Sequence, residues 1–226
     1  GYLDDCDAVF GLHITTKYKR GNIHIKKGPA MAAPDEFSID VVGTGTHASA
    51  PQTGNDPVVT ASQIVLALQN IISRNISPTS PAVISVCTIN GGSAFNILPE
   101  KVRLGGTIRT LDKDVRLHIF KRMEETVRHI SEMNGCKSEL NIIKAYPPLI
   151  NDHKMSDFVV GVANELIGKE NVVLLEEPSM GGEDFAYYLE KKPGSYFWLG
   201  AREPNLDTVY YTVSYTHLTL PTIYSV

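Results

Sequence analysis

The chain has no apolar run near the roughly 20 residues that a membrane-spanning helix needs, so no membrane partner is predicted. It has no basic flank leading into an apolar core at its start, which argues against a signal peptide. It lacks a basic excess: 21 Lys and Arg face 25 Asp and Glu, and the net charge of −4 argues against nucleic acid as a partner. Cysteine is scarce. Cys6, Cys87 and Cys136 are odd in number and irregularly spaced, which argues against a disulfide framework and for a reducing cytoplasm. An initiator Met is missing too, which predicts a true N-terminus upstream.

The rest of the composition is that of a soluble globular protein, and 226 residues suffice for one large domain or two modest ones. Residues 8–14 read as a short buried strand ending near His13, with Cys87 buried in a later apolar strand. Gly28-Pro29-Ala30-Met31-Ala32-Ala33-Pro34 breaks regular structure and reads as a hinge. From there the pattern is self-contained. Phe37, Ile39 and Val41 alternate with polar residues, as in a half-buried strand. Asp56-Pro57 caps a helix whose apolar face is Ala61, Ile64, Val65, Leu68 and Ile72. Strands follow over 82–89 and 101–109. Asp112 opens a second helix carrying Val115, Ile119, Met123, Val127 and Ile130, and Asn134-Gly135 stops it. A strand over 138–144 completes the order β-α-β-β-α-β, a ferredoxin-like unit. Beyond Tyr146-Pro147-Pro148, residues 153–167 read as an amphipathic helix with Met155, Phe158, Val159, Val162, Leu166 and Ile167 at helical spacing. A helix beginning Glu183-Asp184-Phe185 and a buried strand over 195–200 follow.

Certain residues stand where chemistry is possible. His47 lies on the small-residue loop Gly45-Thr46-His47-Ala48-Ser49-Ala50-Pro51, with no apolar face to fill. Asn96 can donate and accept, which suits an amide or a carboxylate. Arg109 ends a strand with a guanidinium fork that fits a carboxylate. Gly181-Gly182-Glu183-Asp184 reads as a glycine turn at a helix N-terminus. Each has a bland alternative: a core His13, a solvated His47, a turn Asn96, a strand-end Arg109 and a helix-capping Glu183. His24, His118, His129 and His153 read as structural.

Phe10-Gly11-Leu12-His13, Gly28 to Ala33, the His47 loop with Asn55-Asp56-Pro57, Gly91 to Glu100, Gly105 to Thr110 and Gly181 to Tyr188 stand in one serial order. In that order the chain resembles the aminoacylase, hippurate hydrolase and auxin-conjugate hydrolase group of metallopeptidases, from about residue 4 to about residue 209. The resemblance implies an amidohydrolase that cleaves N-acyl amino acids to a carboxylic acid and an amino acid. It implies an α/β fold: a partial di-metal peptidase catalytic domain over residues 1–33 and 146–209, with an inserted ferredoxin-like lid over 34–145 that forms a homodimer. It implies two divalent metals per site, whether zinc, manganese, cobalt or nickel. By the same resemblance His13 is a metal ligand, placed at the C-terminal end of a parallel strand. His47 contacts the oxyanion in the partner's site, and Asn96, Arg109, Gly182 and Glu183 bind or shape around substrate.

The chain departs from that pattern in two ways. The remaining metal ligands and the general base belong to segments upstream of Phe10 that it does not contain, so it reads as an inactive fragment. Residues 210–226, His217 included, lose the likeness and read as a non-native tail. Two other readings remain: a non-catalytic dimerisation module, and a related dipeptidase or carboxypeptidase.

Overall fold

The computed structural model describes residue 1 and residues 3–203, so the atypical tail and His217 lie outside the described residues. In chain order the elements are β1 (Val9–Lys19), β2 (Ile23–Ile25), β3 (Gly28–Met31), β4 (Ala33–Val42), β5 (Thr46–His47), α1 (Pro57–Asn70), β6 (Ala82–Gly91), β7 (Ile97–Leu98) and β8 (Lys101–Thr110). They continue with α2 (Lys113–Met133), β9 (Lys137–Ile143), β10 (Leu149–Asn151), α3 (His153–Ile167), β11 (Val172–Leu174), α4 (Ala186–Leu189) and β12 (Gly194–Arg202). They form two compact units. One comprises Gly1–Met31, Leu149–Ser179 and the described residues from Asp184 on; the other comprises Ala32–Pro148 and Met180–Glu183.

The second unit is a four-stranded antiparallel sheet in the order β6-β8-β4-β9. Strand alternation puts Phe37, Ile39 and Val41 of β4 and Val102, Leu104 and Ile108 of β8 on one face. Ala61, Ile64 and Leu68 of α1 and Ile119, Met123 and Val127 of α2 bury them there. The helix starts are set by side-chain caps. Asp56 Oδ1 accepts from the Val58 and Val59 amides at 2.7 and 3.3 Å, and Asp112 Oδ1 accepts from Asp114 and Val115, both at 2.9 Å. Asn134-Gly135 ends α2, with Gly135 at φ 68°.

A bulge in β6 explains the glycine pair opposite it. The β6–β8 register slips between Val86 and Thr88, leaving Cys87 as the extra residue. A Cβ on Gly106 would lie 2.1 Å from the Ser85 carbonyl oxygen and 2.5 Å from the Phe37 ring, so only glycine fits. The bulge also turns Cys87 outward on an edge strand, where it is exposed, contrary to the expectation that it is buried.

The first unit holds a mixed sheet in the order β1-β12-β2-β11, with β1 parallel to β12. Met31, Leu149, Ala186, Tyr196 and Trp198 form its core. Three expectations are corrected here. Residues 8–14 are not a short buried strand: β1 runs on to Lys19 through the β-branched Thr15 and Thr16. Because β1 is an edge strand, its Phe10, Leu12 and Ile14 are 44%, 52% and 40% exposed. Residues 28–31 are not irregular, since β3 pairs with β10. Helix α3 buries Ser156, Val159 and Ala163, leaving Phe158, Val162 and Leu166 exposed. Small residues win that face because Ser156 Oγ donates to the Asp152 carbonyl at 2.7 Å and lies 3.1 Å from Ser195 Oγ, which brings the helix close to β12. Among the described residues no helix is long and apolar enough to cross a membrane.

Asn151 fastens this unit. Its amide donates to the Lys26 and Tyr196 carbonyls, both at 2.8 Å, and its Oδ1 accepts from the Tyr196 amide at 2.7 Å. Asn151→Leu leaves those backbone groups buried without partners. It is expected to destabilise the unit by about 3 kcal/mol or more in denaturant titration. A loss under about 1 kcal/mol contradicts that role.

His24 of β2 is the buried histidine of this unit. It stacks on Tyr18 with ring centroids 3.7 Å apart, and neither ring nitrogen has a hydrogen-bond partner among the described residues. Desolvation, aided by the Lys17 charge, holds its pKa below the ordinary histidine value. The unfolded chain therefore takes up a proton at this site before the folded one does. Stability is full above about pH 6.5 and is expected to fall as pH drops below that. His24→Phe should flatten that acid-side slope in thermal melts. An unchanged slope removes His24 as its source.

Candidate functional site

His13 lies opposite Trp198 in the regular β1–β12 register, in the middle of β1 and not at its C-terminal end as expected. The strand continues because its end is tied to β12: Lys19 pairs with Arg202 and the Arg20 amide donates to the Arg202 carbonyl at 2.9 Å. The imidazole is half-buried, on the face of β1 shared with Val9, Gly11 and Thr15. A Cβ on Gly11 would lie 2.7 Å from the Tyr196 ring and 2.9 Å from Phe185, so the glycine beside Leu12-His13 has a packing cause.

His47 and Asn96 come together. Strand β5 pairs with β7, setting His47 opposite Ile97, and the Ala48 amide donates to the Asn96 carbonyl at 2.9 Å. The His47 ring is exposed and oriented. Its Nδ1 accepts from the Ser49 amide at 3.2 Å and lies 2.7 Å from Ser49 Oγ. An amide N–H needs a lone pair, so in the neutral ring the proton resides on Nε2. His47 is thus a pre-set Nε2–H donor. Ser49 was not among the sequence candidates; the His-x-Ser spacing, which suits local side-chain-to-backbone bonding, is the signal that points to it. The Gly91–Glu100 loop projects beside the pair, with Phe95 fully exposed over a cavity of about 450 Å³ lined by Asp56, Val58, Ile97, Leu98 and Pro99.

Arg109 is placed elsewhere. It is half-buried on β8, between Pro34 of β4 and Val83 of β6, on the sheet face away from the helices. Gly182 joins it through Pro34: a Cβ on Gly182 would lie 2.3 Å from Pro34 Cγ, and the Ala32 amide donates to the Gly181 carbonyl at 3.0 Å. Glu183 follows, half-buried. The helix expected to begin at Glu183 is corrected to α4, four residues long and starting at Ala186. Residues 181–183 form a loop against Pro34, ahead of the helix.

The second unit therefore carries two groups. His47 and Asn96 lie past the Lys101 end of β8, and Arg109 with Gly182 at the other end. Eight residue steps along the strand separate Lys101 from Arg109, about 27 Å. Within one copy these groups do not share a ligand.

Among the described residues no group of three or more His, Cys, Asp or Glu is arranged to hold a metal ion. A catalytic zinc-type site uses about three protein ligands, so His13 has too few co-ligands here, and the residues present do not by themselves fit a dinuclear centre.

Comparison with known proteins gives these features a context. The model of peptidase family M20/M25/M40 matches residues 1–218. An N-acetyl-L-cysteine deacetylase of Bacillus subtilis is 40% identical over 201 residues, covering 88% of this chain and 47% of that protein. The hippurate hydrolase of Campylobacter jejuni is 35% identical over 195 residues, covering 86% and 51%. Among solved structures, a dinuclear metal-binding peptidase of the M20 family from Bacillus subtilis superposes with a TM-score of 0.73 at 26% identity, covering 100% of this chain and 60% of that one. The chain spans about half the length of the curated relatives it matches.

Proposed function

Because the chain belongs to peptidase family M20/M25/M40, whose relatives here include N-acyl amino acid amidohydrolases, we propose that it is the substrate-gripping part of a metal-dependent amidohydrolase that splits N-acyl amino acids into a carboxylic acid and an amino acid. The observation that carries the reading is the division of the second unit: an Nε2–H donor at one end, and a guanidinium beside a glycine-walled surface at the other.

Arg109 takes the free carboxylate of the amino-acid moiety through its planar fork. Asn96 steadies the amide. His47 donates Nε2–H to the oxygen on which charge develops as water attacks. His13 would be one ligand of a dinuclear metal centre, which would supply an activated water and polarise the carbonyl; its other ligands and the general base would have to be added to the residues described here.

The distance between the two groups is resolved by a homodimer, in which His47 and Asn96 of one copy serve the Arg109 site of the other. The second unit is then a ferredoxin-like lid. The antiparallel order β6-β8-β4-β9 with both helices on one face supports that reading. So does the position of β6 at the end of that order among the described residues, with Ile89 exposed on β6 and Val59 and Leu66 exposed on α1. Cys6, Cys87 and Cys136 form no disulfide among the described residues, which suits a reducing compartment, the cytoplasm.

The test is Arg109→Ala in the full-length protein that carries this segment. KM for an N-acetyl amino acid should rise at least about tenfold, with partial recovery in Arg109→Lys, which keeps the charge and loses the fork. An unchanged KM favours the reading in which this segment only dimerises.

A further inference from the structure

The chain passes between its compact units four times, and the crossings at Met31–Ala32 and Pro148–Leu149 bound the long segment Ala32–Pro148. Inside the second unit the start and the end of that segment are fastened to one carboxylate. Asp35, just after the first passage, is fully buried on β4. Its Oδ2 accepts from Arg116 Nε at 2.7 Å and its Oδ1 from Arg116 Nη2 at 2.6 Å, a two-pronged charge-assisted pair. The same Oδ1 accepts the amide of Ala145 at 3.0 Å, just before the second passage. Arg116 Nη2 also reaches the Ala145 carbonyl at 3.5 Å.

The surroundings reinforce the link. Phe120, one turn further along α2, has the Arg116 guanidinium 5.6 Å and the Lys144 ammonium 5.7 Å from its ring centroid. The Asp35 carbonyl accepts from Thr107 Oγ1 at 2.9 Å, which ties the same point to β8 shortly before Arg109. For stability alone an ion pair is a poor choice at this depth, because well-packed apolar residues of similar volume do as well or better. What they lack is direction: the fork sets distance and angle, and Asp35 Oδ1 keeps a second lone pair for the Ala145 amide.

We infer that Asp35 is a positioning residue whose carboxylate, through Arg116 and the Ala145 amide, ties the start of the Ala32–Pro148 segment to its end within the second unit. The inference is independent of the hydrolytic reading and survives or fails apart from it.

Amide hydrogen exchange on this chain tests it. In the unaltered protein the amides of Ala33 and Asp35 on the incoming side and of Lys144 and Tyr146 on the outgoing side should open together, with protection equal within about threefold. Asp35→Asn keeps the shape and loses the charge. It should speed Lys144 and Tyr146 at least about tenfold, while Leu104 and Leu140 in the sheet follow global stability only. If Asp35→Asn does not fold, Arg116→Lys makes the same measurement, since it keeps the charge and loses the fork. The double variant Asp35→Leu/Arg116→Met should recover the melting temperature while Lys144 and Tyr146 stay fast. Two results overturn the inference: unrelated protection on the two sides in the unaltered protein, or full protection of Lys144 and Tyr146 in the apolar double variant.

Discussion

Incubated with zinc, manganese or cobalt and an N-acetyl amino acid, this 226-residue chain is expected to release no amino acid above the blank. Amide hydrolysis at neutral pH needs an activated water and a group to take its proton. Each metal needs about three protein ligands, and the described residues hold no group of three or more candidate ligands. In the proposed reading, groups such as His47 and Arg109 only assist a reaction that an activated water must begin. Turnover that disappears in His13→Ala would reverse the conclusion, because it would mean that His13 finds co-ligands within this chain. Turnover that persists in His13→Ala would point to a contaminating hydrolase.

The second unit was largely legible from sequence, for local reasons. Asp56-Pro57 and Asp112 are cap signals whose acceptors and donors lie within three residues, and the structure uses both. The apolar residues of α1 and α2 recur at helical spacing over a single well-covered face, and those residues form the core. The first unit was read less well because its pattern depends on what covers it. Phe10, Leu12 and Ile14 look like a buried strand by composition, yet they sit on an edge strand with an open face. Helix α3 has two apolar faces, and the choice between them was made by Ser156 meeting Ser195, a contact 39 residues away that periodicity does not encode.

The site divides in the same way. The donor character of His47 follows from Ser49, two residues along the chain. The place of Gly182 follows from Pro34, far away in sequence, and the helix read from Gly181-Gly182-Glu183-Asp184 starts only at Ala186. Cys87 was misplaced because a bulge, unlike a strand, leaves no period-2 signature.

Mixing two disabled versions of the full-length protein is expected to regenerate activity. His47→Ala removes a donor aimed at the oxyanion and should lower kcat by roughly 10²–10³, about 3–4 kcal/mol of barrier. Arg109→Ala should disable the same reaction from the other end of β8. If the two groups met within one copy, every protomer in a mixture would still lack one of them. The about 27 Å of strand between them makes that meeting impossible in a single second unit. In a dimer that exchanges its arms, the mixed species has one site with both residues intact and one with neither. Random pairing at equal concentration makes half the dimers mixed, so activity should recover to about a quarter of the unaltered enzyme. Subunit exchange, and not refolding, must set the time course, so recovery should follow the rate at which differently tagged protomers co-purify. A mixture that stays at the level of the parents after tags have exchanged would place His47 outside the partner's reaction and leave its fixed Nε2–H without a substrate.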